Sequence, residues 1–263
     1  MNVLDSFKLT GKVAVVTGGS GLYGRQMVEA LATAGAKVYT VSRSLESNEK
    51  YAAQLREKGL NVYGGVLDQG DEDSIKKCLE EITKNGDKVD ILINNSVLRI
   101  TKGYQTDYKL FDESMHVNAT GLMMISRAFG DHMAENGGGS IINIGSYMGL
   151  LGPDFELYRG TEMEETSGNM AGDYFFHKGG MINYTRFLAS RYGSKNVRCN
   201  ILNLGGFFNN QPEEFVKRYC AKTFLGRMAN ETDIMGAIVF LASDASAYIT
   251  GSSIEIDGGY TAK

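Results

Sequence analysis

The sequence predicts an α/β fold: a doubly wound parallel sheet of seven strands, flanked by helices and formed by a single domain spanning 1–263. Short apolar runs typical of buried strands alternate with segments of helical periodicity along the chain. A glycine-rich turn joins the first strand to the first helix, and polar residues follow the later strands. Because ligands on such sheets bind beyond the carboxyl ends of the strands, these polar tips predict where the site lies.

The composition is that of an ordinary globular protein. Apolar residues make up 43% and charged residues 22% of the chain, which allows a sizeable core. A net charge of −4 without a basic run gives no support to nucleic-acid binding. No apolar stretch is typical of a signal peptide or a membrane span, and the three cysteines have no CxxC spacing. We therefore expect a cytoplasmic protein, and the spacing of its three histidines predicts no metal site.

The first strand, Val13 to Thr17, leads into the glycine-rich turn and a helix that ends near Ala34. Glycines permit a tight turn and let the backbone reach a pyrophosphate at the N-terminus of the helix. This arrangement predicts a dinucleotide site, with a plain tight turn as the alternative. The candidate cofactor residues here are Gly18, Ser20, Gly21, Leu22 and Gly24.

The second strand, Lys37 to Ser42, ends where a ribose would be bound. An acidic residue there would accept hydrogen bonds from a 2′-hydroxyl, whereas an arginine would pair with a 2′-phosphate. The sequence has Ser42 and Arg43, and no carboxylate before Glu46. Arg43 therefore favours NADP(H) over NAD(H). The alternatives are NAD as the cofactor, and an Arg43 that only caps a surface loop.

The third strand (62–67) and the fourth (89–93) each follow a helical segment (45–58 and 71–84) and end in polar residues. Their positions at the carboxyl ends of strands suit contacts with the adenine ring and the rest of a dinucleotide. The candidate cofactor residues at these two tips are Asp68, Gln69, Asn95 and Ser96.

A loop and a long helix, predicted over 107–135, come next. Arg99 and Lys102 in the loop are interpreted as solvated charges, with contact to an anionic substrate as the alternative. Asn118 interrupts the apolar pattern of the helix, and a buried amide is costly unless it is paired. We expect Asn118 to bend the helix and hold a water, or else to be a satisfied core amide. Gly121 would let another backbone approach closely.

The fifth strand (140–145) delivers Ser146 to its tip. No histidine or acid in the sequence is placed to make this serine a nucleophile, so we expect it to hydrogen-bond a substrate oxygen. The acidic segment at about 149–172 that follows is longer than most loops in compact domains. We interpret this insertion as a lid over the substrate, with an oligomer contact as the alternative.

Tyr174 and Lys178 lie four residues apart on the next predicted helix, which places both side chains on one face. An ammonium there would lower the pKa of the phenol and make it a usable proton donor and acceptor. The pair alone also fits a chance spacing on an amphipathic helix. Beyond the sixth strand (197–202), Gly205 and Phe207 are candidate cofactor contacts, and 207–224 is predicted to be a mobile helical flap. A helix at 231–243 and a strand at 253–256 complete the fold.

Together these motifs resemble the short-chain dehydrogenase/reductase family, in its compact single-domain branch, over nearly the whole chain. The matching residues are Thr17-Gly18 to Gly24, Asp68, Asn94-Asn95, Asn118, Ser146, Tyr174-x-x-x-Lys178 and Ile256-Asp257-Gly258-Gly259. The resemblance implies an NAD(P)(H)-dependent oxidoreductase that interconverts a secondary alcohol and a ketone, assembled as a homotetramer. It also implies roles for four residues: Tyr174 as acid/base, Lys178 as its activator and a ligand of the nicotinamide ribose, Ser146 as a substrate-orienting group, and Asn118 as the holder of a proton-relaying water.

Three departures from the family pattern stand out. Leu22 replaces the middle glycine of the turn, Ser96 and Val97 follow the paired asparagines, and Leu204-Gly205 lacks the threonine that normally follows. Asn209 or Asn210 is a candidate substitute for that threonine's contact with the nicotinamide amide.

The long insertion and the strings 205–214 and 225–228 resemble a subgroup of oxidoreductases of flagellin glycan modification and bacterial sugar metabolism. This resemblance implies a small, carbohydrate-like substrate. A non-catalytic dinucleotide-binding sensor and a sugar-nucleotide dehydratase or epimerase remain alternative functions.

Overall fold

The structure, a computed structural model, describes residues 2–84, 86–164 and 171–263. The strands are β1 Val13–Thr17, β2 Lys37–Ser42, β3 Val62–Val66, β4 Ile91–Asn94, β5 Gly139–Ser146, β6 Val197–Leu204 and β7 Ser253–Ile256. The α-helices of these described residues are α1 Leu22–Thr33, α2 Leu45–Glu57, α3 Glu72–Thr83, α4 Tyr108–Met115, α5 Gly121–Glu135, α6 Gly172–Tyr192, α7 Glu213–Cys220 and α8 Met235–Ala242.

The seven strands form one parallel sheet in the order β3-β2-β1-β4-β5-β6-β7. The predicted α/β class and doubly wound sheet are therefore confirmed. The strand order reverses direction between β1 and β4, and such a switch point opens a crevice at the carboxyl ends of the strands. The glycine turn after β1 and the paired asparagines after β4 lie on either side of this crevice.

Apolar side chains cover both faces of the sheet, as expected for parallel strands. On one face, Met27 and Leu31 of α1 and Leu241 of α8 pack with strand residues such as Val16 and Val38. On the other face, residues of α3, α5 and α6 such as Phe129 pack against the opposite side chains of the same strands. The two cores hold the sheet rigid, so that the strand tips are fixed in position relative to one another.

The helix predicted over 107–135 is not continuous. A π-helical turn at His116–Thr120 separates α4 from α5 and contains Asn118. A π-turn inserts one residue into the helical repeat, and such turns occur often at functional sites. Gly121 follows the turn, and a Cβ atom there would overlap the carbonyl oxygen of Gln69. The close backbone approach predicted at Gly121 is therefore confirmed.

The helix predicted over 231–243 begins later, at Met235. Asn230 accepts a hydrogen bond from the backbone of Thr232 at 2.9 Å, and Asp233 accepts one from the backbone of Asn230 at 2.7 Å. These side chains hold the preceding residues in turns, which compete with helix formation.

The insertion packs against α7 in the part of the chain that the structure describes. Tyr158 of the insertion lies 5.2 Å from the ring of Phe215, and Tyr147, just after β5, lies 6.0 Å from Tyr219. Arg218 also donates to the backbone carbonyl of Glu156 at 2.9 Å. The predicted lid and flap thus share an aromatic wall. Residues 165–170 of the lid lie outside the described residues.

Candidate active site

A cavity of about 400 Å³ opens at the carboxyl ends of β4, β5 and β6. We call it the Tyr174 cavity. Ser146 from the tip of β5, Tyr174 and Lys178 from α6, and Arg99 from the loop after β4 all line it. Tyr158, Phe215 and Tyr219 are among the aromatic residues that form its far wall, and all three are almost fully buried. The cavity therefore presents cationic and hydroxyl groups on one side and aromatic rings on the other.

Tyr174, the predicted acid/base, lines this cavity beside two cations. Burial alone would raise the pKa of its phenol, but the Lys178 and Arg99 cations and hydrogen bonds with Ser146 and Arg99 outweigh burial. The pKa of Tyr174 therefore lies below its ordinary value of 10.0. A phenol with a lowered pKa can exchange a proton with a substrate oxygen near neutral pH.

Lys178 is buried and donates a hydrogen bond from Nζ to the carbonyl oxygen of Ile144 at 2.6 Å. Its Nζ lies 5.7 Å from the centroid of the Tyr174 ring. Burial lowers the pKa of Lys178, and the neighbouring Tyr174 offsets this in part. The bond to Ile144 anchors α6 to β5, which also carries Ser146.

Asn118 lies behind the cavity and does not line it. Its amide pairs with both backbone groups of Leu98: Oδ1 accepts from the Leu98 N–H, and Nδ2 donates to the Leu98 carbonyl, each at 2.8 Å. Nδ2 also donates to Ser114 Oγ at 3.1 Å. Asn118 is thus a satisfied buried amide that holds the loop carrying Arg99. Its role as the holder of a relay water stays a prediction.

The Arg99 guanidinium carbon lies 4.6 Å from the centroid of the Tyr174 ring. A cation in this position attracts the electrons of the ring and stabilises a phenolate. The sequence favours a solvated loop charge at Arg99, and the side chain does remain exposed. Its place in the cavity favours the alternative interpretation, in which it faces an anionic group of a substrate. Lys102, by contrast, does not line the cavity.

The glycine turn has the geometry that a dinucleotide needs. A Cβ atom at Gly24 would overlap the carbonyl oxygen of Gly18, and Gly18 itself has a φ of +65°. Gly21 is the N-cap of α1 and makes no side-chain capping bond, which leaves the first N–H groups of the helix for a ligand. Such N–H groups bind phosphate oxygens. The residues present therefore fit the pyrophosphate of a nicotinamide dinucleotide.

A second cleft beside the turn, which we call the Arg43 cleft, collects most of the other candidate cofactor residues. Its lining includes Gly18, Gly21, Leu22, Ser42, Arg43, Asp68, Gln69, Asn95 and Ser96. Leu22 and Asn95 also line the Tyr174 cavity, together with Gly205 and Phe207. The two spaces therefore meet, and their lining residues fit an extended nicotinamide dinucleotide.

Ser20 lies outside both spaces and lines a groove on the far side of the turn. Its hydroxyl donates to Asn48 Oδ1 at 3.1 Å, and the Ser42 hydroxyl donates to the same oxygen at 3.1 Å. Asn48 is fully buried. It thereby ties the glycine turn to the tip of β2, next to Arg43.

Tyr23 and Gln211 are among the residues of the Tyr174 cavity that sequence reasoning missed. Tyr23 donates to the carbonyl oxygen of Gly205 at 2.9 Å, and it joins the glycine turn to the tip of β6. Gln211 lines the cavity and donates to the carbonyl oxygen of Phe207 at 2.7 Å. Asn209 and Asn210, the predicted nicotinamide contacts, line the groove that contains Ser20 instead. Only the folded path of the 205–211 loop distinguishes Gln211 from its two neighbours.

No cluster of three or more metal-binding side chains occurs within residues 2–84, 86–164 and 171–263. In the same ranges, no helix is both long and apolar enough to cross a membrane.

Comparison with known proteins shows that this chain is similar to a family of reductases and dehydrogenases. The family model described as Enoyl-(Acyl carrier protein) reductase matches residues 20–261. A 7alpha-hydroxysteroid dehydrogenase from Bacteroides fragilis is 30% identical, over 97% of this chain and 96% of its own length. A D-threitol dehydrogenase from Mycolicibacterium smegmatis is 31% identical, over 100% of this chain and 98% of its own.

Among solved structures, a gluconate 5-dehydrogenase from Burkholderia cenocepacia in complex with NADP and tartrate superposes with a TM-score of 0.88. It is 25% identical, and the alignment covers 100% of both chains. The similarity extends from the glycine turn through the cavity to the last strand.

Proposed function

Since the chain belongs to the short-chain dehydrogenase/reductase family and is an NAD(P)-dependent oxidoreductase of alcohols and ketones, we propose that its substrate is a small, carbohydrate-like secondary alcohol or the corresponding ketone. One observation carries the proposal: Ser146, Tyr174, Lys178 and Arg99 line a single cavity that meets the dinucleotide cleft. Hydroxyl and cationic groups in this position suit a substrate rich in oxygen atoms.

Each residue has a defined task in the proposed reaction. Tyr174 takes the hydroxyl proton during oxidation and returns it during reduction. Ser146 hydrogen-bonds the same oxygen and fixes its distance to Tyr174. Lys178 stabilises the phenolate form of Tyr174, and Asn118 holds the loop that completes the cavity. A bound nicotinamide dinucleotide supplies the hydride donor or acceptor, and the cavity walls hold the substrate in line with it.

For the cofactor, we favour NADP over NAD. The Arg43 side chain is exposed at the rim of its cleft and makes no ion pair with another described residue. A guanidinium in this position can form paired hydrogen bonds with a 2′-phosphate. The gluconate dehydrogenase structure with NADP supports the same choice.

For the substrate, Arg99 favours a sugar acid over a neutral polyol. Its guanidinium reaches the reacting phenol, so a carboxylate bound to it would lie close to the carbon that is oxidised. The tartrate complex and the threitol dehydrogenase among the similar proteins support substrates of this size and polarity. The aromatic wall favours a second candidate, a hydroxysteroid acid, in line with the similar 7alpha-hydroxysteroid dehydrogenase.

A panel of matched substrates tests this proposal. The purified protein is given NADP⁺ or NAD⁺ together with polyols, the sugar acids derived from them, and hydroxysteroid acids, and NAD(P)H formation is measured. We expect kcat/KM to be roughly tenfold or more higher for a sugar acid than for its neutral polyol, because the charged contact with Arg99 is lost with the polyol. If hydroxysteroids are the only compounds of the panel that are turned over, the second candidate replaces the sugar acid as the proposed substrate.

Two other outcomes would contradict the proposal. Cofactor binding without hydride transfer to any member of the panel would indicate the non-catalytic sensor. Tight retention of the cofactor without net consumption would indicate a dehydratase or epimerase. The narrower resemblance to enzymes of flagellin glycan modification stays a prediction, which the panel also tests.

The domain organisation and assembly form part of the same proposal. The chain acts as one domain, with a lid at about 149–172 and a mobile flap at about 207–224 that close over the substrate. It assembles as a homotetramer through α4, α5 and α6, where Phe176 and Phe187 are 67% and 60% exposed. A contiguous exposed apolar face on these helices would mark a protein–protein contact. Light scattering that gives the mass of four chains supports this assembly, and the mass of one chain contradicts it.

A further inference from the structure

Asp173 is a buried carboxylate immediately before Tyr174, and the reaction proposed above does not use it. It is 2% exposed and lies in the first turn of α6, where the helix dipole favours a negative charge. Its two oxygens each accept a hydrogen bond from a hydroxyl group: Oδ1 from Thr101 Oγ1 at 2.6 Å, and Oδ2 from Ser114 Oγ at 2.5 Å. Burying a carboxylate costs free energy unless such bonds compensate for the lost water.

The two hydroxyl groups come from separate parts of the fold. Thr101 lies two residues after Arg99 in the loop that follows β4. Ser114 lies on α4, one helical turn before Asn118, and its Oγ accepts a hydrogen bond from Asn118 Nδ2 at 3.1 Å. Asn118 in turn pairs with both backbone groups of Leu98, in the same loop. One carboxylate therefore connects α6, α4 and the Arg99 loop.

The directions of these hydrogen bonds are consistent along the chain of groups. Asn118 donates to Ser114, and Ser114 donates to Asp173, which accepts only. In a chain of hydrogen bonds, each bond polarises the next and strengthens it. A donor group in place of an acceptor interrupts the chain and weakens the remaining bonds. The side chain at position 173 must therefore accept a hydrogen bond from Thr101 and another from Ser114.

We propose that Asp173 is a positioning residue, an inference that rests on the proposed function. Asp173 holds Arg99 over the Tyr174 ring and Asn118 against the Arg99 loop. It acts on the reaction through Arg99, because Arg99 alone of these residues reaches the phenol. The alternative is that Asp173 only anchors the first turn of α6.

Several titratable or charged groups lie around the phenol. They are Asp173, His177 and Lys178 on α6, Arg99 on the loop after β4, Tyr23 on α1, Tyr147 after β5, and Tyr158 in the insertion. Of these, Lys178 and Arg99 lower the pKa of Tyr174. Lys178 is anchored to Ile144 independently of Asp173, so a change at Asp173 reaches Tyr174 through Arg99.

The test is the substitution Asp173→Asn, read out as the pH dependence of alcohol oxidation. An asparagine replaces one of the two carboxylate oxygens with an NH2 donor, so it cannot accept the Thr101 and Ser114 bonds at their two separate positions. We expect the midpoint of the pH profile to move upward by roughly half a unit or more, because Arg99 no longer stays close to the phenol. NADPH affinity, measured from NADPH fluorescence, should stay unchanged.

A double-mutant cycle separates positioning from general damage. In an Arg99→Met background, Asp173→Asn should leave the pH midpoint where Arg99→Met alone puts it. The matched control is Asp90→Asn, which removes a buried carboxylate that accepts from the Val13 N–H at 2.9 Å, at the opposite edge of the sheet. That variant should lose thermal stability without any change in the pH midpoint.

Thr101→Val and Ser114→Ala keep the proposal testable if Asp173→Asn fails to fold. Thr101→Val should reproduce the shift in the pH midpoint. Variants at 101 and 173 that lower the melting temperature but leave the midpoint in place would overturn the proposal and leave Asp173 as an anchor. Full turnover by a Tyr174→Phe variant would instead contradict the proposed function itself, so the two failures are distinct.

Discussion

The guanidinium of Arg99 lies 4.6 Å from the centre of the Tyr174 ring, although the two residues are 75 positions apart in the sequence (174 − 99). Together with Lys178, it places two cations beside one half-buried phenol. Burial raises the pKa of Tyr174, and these cations together with hydrogen bonds with Ser146 and Arg99 lower it by more. The acidity of Tyr174 therefore depends on a loop residue as well as on its neighbour in the helix.

Replacing Arg99 with methionine should shift the pH dependence of the reaction. Oxidation needs the phenolate form of Tyr174, so its rate rises with pH through the pKa of that group. Without the Arg99 cation this pKa rises, and we expect the midpoint to move upward by about one unit. Arg159→Met is the matched control, because Arg159 pairs with Glu156 at 2.6 Å on the surface. An unchanged midpoint in Arg99→Met would show that Arg99 does not act on Tyr174.

Arg43→Asp should weaken NADPH binding far more than NADH binding. The change replaces a phosphate-binding guanidinium with a carboxylate that repels the 2′-phosphate and accepts hydrogen bonds from a 2′-hydroxyl. We expect the ratio of the two dissociation constants to change roughly tenfold or more. Lys50→Asp, at an exposed position of α2, makes the same change in net charge and should leave the ratio as it is. Equal losses for both cofactors in Arg43→Asp would mean that Arg43 does not contact the phosphate.

Gly24→Ala should disrupt the dinucleotide turn. The added Cβ would overlap the Gly18 carbonyl oxygen and would also lie 2.7 Å from the Gly19 Cα, so the turn must open. We expect lower thermal stability and a roughly tenfold or greater loss of cofactor affinity. Gly180→Ala is the control, since no atom lies within 4 Å of its added Cβ on α6. That change should stabilise the helix by about 0.5–1 kcal/mol. If Gly24→Ala binds the cofactor as tightly as Gly180→Ala does, the role assigned to the turn is contradicted.

His177 predicts how stability depends on pH. Burial lowers its pKa from 6.5 to about 3, and neither ring nitrogen has a hydrogen-bond partner among the described residues. Above pH 6.5 both the folded and unfolded states hold a neutral imidazole. Between pH 6.5 and 3 only the unfolded state gains a proton, so folding stability falls as the pH falls.

We therefore expect His177 to account for a loss of about 2 kcal/mol of unfolding free energy between pH 8 and pH 5. Denaturant titrations of the wild type and of His177→Gln measure this loss. The variant should show a flatter dependence on pH by that amount. The same slope in both proteins would mean that His177 becomes protonated in the folded state.

Local patterns predicted most of the fold and the centre of the site. A few residues of sequence are enough to recognise each of three features: the buried strands, the glycine turn, and the four-residue spacing of Tyr174 and Lys178. The strand tips also follow from the sheet, because parallel strands bring their carboxyl ends to one edge. Most helix and strand ends agree within two residues, apart from the π-turn and the later start of α8.

Contacts between distant segments could not be predicted in this way. Arg99 gains its position from the path of the loop after β4, which the bonds from Leu98 to Asn118 and from Thr101 to Asp173 hold in place. Gln211 was missed for the same reason, because the short 205–211 loop of polar and apolar residues gives no period from which to infer the direction of a side chain. Such contacts depend on tertiary structure and leave no local periodic signal.

The most direct measurement is single-turnover hydride transfer by the Tyr174→Phe variant, with cofactor affinity measured on the same samples. Loss of the phenolic hydroxyl removes the proton acceptor, so we expect the rate to fall by roughly 10³-fold. NADPH affinity should stay within about threefold of the wild type, since Lys178 remains anchored to Ile144. A Tyr174→Phe variant that transfers hydride at the wild-type rate would contradict the account.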